Sequence, residues 1–294
     1  GRPAQFTFTA SGGEHYLIDI DQLITAPAGN AVSATVYDSS GNTKGIVTRT
    51  TTELANLAPD TYFVWISQPT PLTASMRLTL QTIPQVATNG VGVPVQNPTP
   101  GQASYFTFNA QAGESFGVAM TDISTNPPSE TNFGSMSVLE PDGTYASYGT
   151  LCQQTHCWMT LRNVAKSGAY RLRVEPYLPT SILSTTLVVS KAATGVLTAG
   201  QPFTLNLSSY GQPASLSFTR GTAGAFTMNL TPISPTPAGT SFRAYLYNSA
   251  NELVASAWWS ASSMVLTSSN LPAGAYTVWI ECSGATAASM TVSY

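Results

Sequence analysis

The feature that most constrains this chain is a corner that occurs three times. Leu57-Ala58-Pro59-Asp60-Thr61-Tyr62, Val164-Ala165-Lys166-Ser167-Gly168-Ala169-Tyr170 and Leu271-Pro272-Ala273-Gly274-Ala275-Tyr276 each carry a tyrosine out of a tight turn into an alternating segment, roughly one hundred residues apart. Self-similarity at a fixed period marks a repeated structural unit, so any reading of the fold must hold for all three copies.

Other landmarks recur in the same order. An opening strand is read at Gln5-Phe6-Thr7-Phe8, Tyr105-Phe106-Thr107-Phe108 and Leu216-Ser217-Phe218, and a second at Tyr16-Ile18-Ile20, Phe116-Val118-Met120 and Phe226-Met228-Leu230. Hairpin turns follow at Asp38 to Gly41, Pro141 to Gly143 and Asn248 to Asn251. Residues i, i+2 and i+4 of a strand share a face, so these apolar alternations each describe a half-buried strand. Several short strands with turns every 8 to 12 residues, in a unit of this size, predict an all-β chain of three tandem antiparallel β-sandwich domains of jelly-roll or immunoglobulin-like type. The expected boundaries are 1–83, 90–190 and 195–294. The second and third units have an additional leading strand, around Val91-Val93-Val95 and Phe203-Leu205-Leu207, which the first lacks. Because Gly1 to Gln5 aligns with Pro100 to Ser104 inside the second unit's preamble, the chain reads as part of a larger parent protein.

Composition narrows the function classes. Charged residues make up 9% of the 294, the net charge is −3, and the 11 basic residues form no cluster that could follow a phosphate backbone, which argues against nucleic acid. No run of about eighteen apolar residues is present, so no membrane span is expected. The Ser- and Thr-rich, Lys-poor composition, with 43% hydrophobic residues to build cores, is that of an exported β protein, and a secreted or cell-surface location is expected. Cys152 and Cys157, enclosing four residues, are a candidate disulfide, while Cys282 leaves an odd count.

The landmarks resemble those of bacterial pre-peptidase C-terminal domains and the similar sandwich modules beside YD-repeat, RHS-like regions of large exported proteins. The resemblance rests on the segment Gly101 to Phe108, the turn at Gly113, the Pro141-Asp142-Gly143 hairpin and the Leu271 to Val278 corner, and it touches all three units. It implies accessory modules without catalytic activity or cofactor. Such modules serve binding, secretion or spacing, with the other domains of the parent chain and a glycan or cell-surface ligand as expected partners.

Chemistry-bearing patterns are few. Gly113-Glu114-Ser115-Phe116-Gly117 fits the nucleophile-elbow pattern, but it joins two strands where an elbow joins strand to helix, and the two histidines, His15 and His156, lie in different repeats. Cys152, His156 and Cys157 lack a fourth zinc ligand. Asp19 and Asp21 lack the loop that completes a calcium site, and Glu140 and Asp142 read as turn residues. No catalytic residue, metal or cofactor is assigned.

The functional lead lies on the strands after the corner tyrosines. Arg171 and Arg173 alternate with Tyr170, Leu172 and Val174, and two arginines belong outside a sandwich core. By register the same outward face carries Phe63 and Trp65 in the first unit and Trp279 in the third. Aromatics on an outer face stack on sugar rings, pack against a neighbouring domain, or are covered by a loop. Trp258 and Trp259 must face opposite ways, and Trp259 joins Phe63, Trp65 and Trp279 as a candidate binding or interface residue. Tyr245 and Tyr247 are expected to line the core.

Overall fold

The computed structural model describes residues 4–47, 52–67, 73–97, 99–128, 133–153, 155–236, 240–259, 263–284 and 287–294, with backbone alone at 21, 148, 149, 259 and 283. The described residues form strands and turns with no helix, so no helix is long and apolar enough to cross a membrane.

The first repeat contains β1 (Ala4–Ala10), β2 (Glu14–Ala26), β3 (Ser33–Tyr37), β4 (Thr43–Val47), β5 (Thr52–Leu57), β6 (Asp60–Ser67) and β7 (Thr73–Thr82). The second contains β8 (Val93–Gln96), β9 (Ser104–Ala110), β10 (Phe116–Asn126), β11 (Gly134–Leu139), β12 (Tyr145–Cys152), β13 (Cys157–Leu161), β14 (Gly168–Pro176) and β15 (Ile182–Lys191). The third contains β16 (Ala193–Val196), β17 (Phe203–Leu207), β18 (Ala214–Arg220), β19 (Gly224–Thr236), β20 (Ser241–Asn248), β21 (Leu253–Trp259), β22 (Met264–Leu271), β23 (Gly274–Ser283) and β24 (Ala287–Ser293).

Each repeat supplies two sheets. They run β1-β6-β3-β4 and β5-β2-β7 in the first, β12-β11-β14-β9 and β13-β10-β15-β8 in the second, and β16-β18-β23-β20-β21 and β17-β24-β19-β22 in the third. Among the described strand registers pairing is antiparallel except that β16 runs parallel to β18. The leading strands read in the sequence are β8 and β17, which extend the second sheet beside β15 and β24. The chain divides into two compact units, 1–85 with 105–107, and 86–104 with 108–294, so the second and third repeats lie in one unit.

The repeated sequence signature corresponds to a repeated aromatic cluster. Phe8 lies 5.2 Å from Tyr62 and 5.5 Å from Tyr16; Phe108 lies 5.5 Å from Tyr170 and 5.2 Å from Phe116; Phe218 lies 5.5 Å from Tyr276 and 5.3 Å from Phe226. Each corner tyrosine donates its hydroxyl to the carbonyl four residues upstream, Tyr62 to Ala58 at 3.0 Å, Tyr170 to Lys166 at 3.0 Å and Tyr276 to Pro272 at 2.9 Å. This is a tyrosine corner: the ring fills the core while its one polar atom is satisfied by the turn that placed it. Around it pack Ile18, Val36, Leu54 and Val64 in the first repeat, and Leu216, Met228, Leu246, Leu266 and Val278 in the third. In the second repeat Val118, Met136, Leu172, Val174 and Leu187 are fully buried.

The hairpin turns are tied by charge. Asp38 accepts from the backbone and side chain of Asn42 and pairs with Lys44 at 3.0 Å, and these partners hold its carboxyl well below the usual range. Lys166 bridges Glu140 at 2.7 Å and Asp142 at 2.5 Å, and together with Thr144 it likewise lowers Asp142.

One expectation fails here. Tyr245 and Tyr247 do not line the core: Phe242, Ala244 and Leu246 point inward from β20, and the two tyrosines share the outer face with Arg243. Strand alternation allows only one of the two sets inside, and the inward one carries no polar atom.

Candidate functional site

The outward rows predicted from sequence are present and are treated differently in different repeats. In the first repeat Trp65 stands on β6 between Gln5 of β1 and Thr35 of β3, and Phe63 between Thr7 and Tyr37. Ile46 of β4, across from Thr35, extends the Trp65 row and is exposed. Trp65 itself is 42% exposed, an aromatic ring set in a sheet surface that mixes Gln5, Thr7 and Thr35 with Phe63 and Ile46.

Trp279 occupies the matching place on β23, between Ser215 and Tyr245, and is 2% exposed. Its indole Nε1 donates to Glu281 at 2.9 Å, and the same carboxylate oxygen accepts from Thr160 of the second repeat at 2.7 Å. The outer face of the third repeat is therefore joined to the second by a hydrogen bond shared through one carboxylate.

That joint is built from small residues and rings. Ala119, Val188 and Tyr210 form a buried apolar cluster with Trp158 packed against it. Gly117 on β10 faces the loop before β18 so closely that a β-carbon there would stand 2.2 Å from the Gly211 carbonyl oxygen. Gly211, at φ +66°, would in turn carry a β-carbon 3.0 Å from that of Trp158. Glycine inside a strand marks a close backbone approach, and here the approach is the second repeat lying on the third. Gln212 donates to the Lys191 carbonyl at 2.9 Å, and the Ala193 amide donates to Pro213 at 2.9 Å, leading into β16. At the edge, the Arg162 guanidinium stacks 3.6 Å over the ring of Tyr247.

Beside the joint is a cleft of about 630 Å³ lined by Thr121, Asp122, His156, Val188, Ser209 and Tyr210 among others. His156 and Tyr210 pack with ring centroids 5.7 Å apart. The Tyr210 hydroxyl is buried with no hydrogen-bond partner among the described residues, and burial pushes its ionisation well above the ordinary phenol range. Cys152 and Cys157 are joined in a disulfide across a Cα separation of 5.3 Å, closing the loop that presents Thr155 and His156 to the cleft. Cys282 keeps its thiol, buried in the third core.

The serine of the elbow-like pattern is committed elsewhere. The Ser115 Oγ accepts from the Asn163 amide at 2.9 Å and donates to the Asn163 side chain at 3.4 Å, closing the turn opposite Gly113. Glu114 accepts from the Gln111 amide and pairs with Lys191 at 2.6 Å. Each residue of the pattern thus has a turn or joint role: Gly113 takes φ +86°, Glu114 and Ser115 close the turn, Phe116 fills the core and Gly117 admits the neighbouring repeat. Among the described residues no three His, Cys, Asp or Glu side chains gather as metal ligands would, and the Asp21 side chain lies outside them.

Of the predicted aromatic candidates, Phe63 and Trp65 share one surface and Trp279 is in the joint. Trp259 lies in β21, but its side chain is outside the described residues. Trp258 points outward, 66% exposed, with the Arg243 guanidinium 4.4 Å over its ring. Sequence reasoning missed Tyr210, Arg162 and the Gly117–Gly211 approach. The usable signal was Gly117 itself, a glycine at an interior strand position where no turn requires one.

No family model matches the chain, and no curated protein matches it. Among solved structures, tripeptidyl peptidase 2 is similar over 89% of this chain at 12% identity and a TM-score of 0.24, and the chain spans 29% of the length of that protein. A structure of Sulfolobus turreted icosahedral virus is similar over all of this chain and 84% of its own, at 12% identity and a TM-score of 0.24. The CBM22 tandem domain of Xyn10C from Paenibacillus barcinonensis covers 74% of this chain and 86% of its own length, at 11% identity and a TM-score of 0.20. Scores this low carry no functional argument.

Proposed function

We propose that the chain is a non-catalytic tandem β-sandwich region of a larger secreted or surface bacterial protein, acting as spacer and interaction modules of the accessory kind that pre-peptidase C-terminal domains represent. The observation that carries this reading is the joint: an outward tryptophan, a glycine pair and a shared carboxylate are used to hold one repeat against the next. An array with a mechanical or spacing role needs such a joint, because short linkers alone leave modules free to swing. Spin labels at exposed Thr144 and Ser249 test it. One narrow distance distribution is expected; a broad one would remove the spacer reading. A fluorophosphonate probe tests the non-catalytic part, and labelling that disappears in Ser115→Ala would overturn it.

A second reading, a carbohydrate-binding array using outward aromatics, is favoured by Trp65, 42% exposed beside Phe63 on an outward sheet face. Acrylamide quenching of tryptophan fluorescence with a glycan panel separates the two: protection that vanishes in Trp65→Ala supports binding there.

A further inference from the structure

The outer face of the third repeat carries a second aromatic surface that runs outward from the edge of the joint. Arg243, Tyr245 and Tyr247 stand at successive outward positions of β20, and Trp258 pairs with Arg243 from the neighbouring edge strand β21. The two tyrosine rings lie 6.4 Å apart and are half-buried, and Trp258 is 66% exposed. Arg243 stacks on Trp258 at 4.4 Å, and Arg162, reaching over from the second repeat, stacks on Tyr247 at 3.6 Å.

The cations on this face have rings, not carboxylates, as their contacts. Four other cations are paired with carboxylates: Lys44 with Asp38, Lys166 with Glu140 and Asp142, Arg173 with Glu175, Lys191 with Glu114. Among the described residues neither Arg162 nor Arg243 forms a salt bridge. Glu281, opposite Arg243 in the strand register, instead takes hydrogen bonds from Thr160 and Trp279. A guanidinium held over a ring face still has N–H donors to offer, and its planar fork receives a carboxylate bidentately.

We infer that this platform binds an acidic glycan chain, with uronate-type sugars laying their apolar faces on Tyr245 and on the side of Trp258 that Arg243 leaves exposed, and their carboxylates on Arg243 and Arg162. Two features favour a glycan over an acidic peptide. The outward side chains here are rings and guanidinia on a sheet face, and a peptide added to a sheet draws specificity from pockets for alternate side chains, whereas sugar rings need only an aromatic face. Arg243 and Tyr247, the ring that Arg162 covers, are also four residues apart on β20, about 13 Å along the strand, a spacing for charges on successive sugars and not for one small anion. The platform is separate from the Trp65 face and adds a ligand to the spacer reading, so its failure leaves both other proposals standing.

The test titrates the intact chain with long oligogalacturonides, with the same oligomers methyl-esterified at their carboxylates, and with poly-glutamate, followed by calorimetry and tryptophan fluorescence. Binding is expected for the acidic sugar alone, weakening with salt. Trp258→Ala and Arg243→Gln, both at exposed positions that leave the fold intact, should each weaken it about tenfold, and Trp65→Ala should not. The inference is overturned by no binding, by equal binding of the esterified oligomer or of poly-glutamate, or by unchanged affinity in Trp258→Ala.

Discussion

Trp65 and Trp279 hold the same place in two repeats, three residues beyond a corner tyrosine and in the central strand of an outward face, yet one is 42% exposed and the other 2%. Their strands and registers correspond, so the difference comes from what lies over each ring. On Trp279 a neighbouring repeat supplies Thr160 to the carboxylate that holds the indole.

Trp279→Ala should therefore cost about 3–5 kcal/mol, as expected for truncating a buried large aromatic, and Trp65→Ala less than about 1 kcal/mol. Urea denaturation of both variants checks this, and equal losses would mean that the two faces are equally covered.

Gly117→Ala places a methyl group 2.2 Å from the Gly211 carbonyl oxygen, which the joint can admit only by moving apart. The expected result is a loss of about 1–3 kcal/mol confined to the contact between the second and third repeats. Calorimetry should then resolve two transitions where the parent shows a coupled one. Gly113→Ala, in an open turn at φ +86°, should strain the turn without separating the repeats.

Tyr170→Phe keeps the ring and removes the hydroxyl that the Lys166 carbonyl accepts, at a residue with no exposed surface. A cost of about 1–3 kcal/mol is expected, with comparable losses for Tyr62→Phe and Tyr276→Phe, each seen in hydrogen exchange of its own repeat.

Removing the disulfide by Cys152→Ser with Cys157→Ser opens a loop of sequence separation 5, a short loop for which chain entropy predicts about 2 kcal/mol. The loss should be accompanied by faster exchange at His156, which this loop holds against Tyr210.

Asp38 and Asp142 are held below their ordinary values, Asp38 first by Asn42 and Asp142 first by Lys166. A depressed folded-state value gives stability that is complete above the unfolded carboxylate pKa near 4 and is lost as pH falls through the folded value. Both turns should therefore keep their hydrogen bonds down to about pH 4 and weaken only in stronger acid. Carboxyl carbon shifts titrated by NMR check this, and midpoints near 4 would contradict it.

The all-β class was legible from local evidence alone. Each corner tyrosine, its alternating strand and its hairpin turn are set by neighbours within a few residues, and seeing the pattern three times distinguished it from chance. Arg171 and Arg173 likewise identified the outward faces, because alternation is a property of a single strand. Tyr245 and Tyr247 defeated that logic: both parities of β20 carry large side chains, Phe242 and Leu246 on one and the tyrosines on the other, and only a second sheet decides which set is enclosed. The fate of each outward aromatic was not a local matter either. Whether Trp65 meets solvent or Trp279 meets a carboxylate shared with Thr160 depends on residues remote in sequence. Strand character and facing follow from the chain's own period; burial depends on contacts with distant residues, which only the tertiary structure establishes.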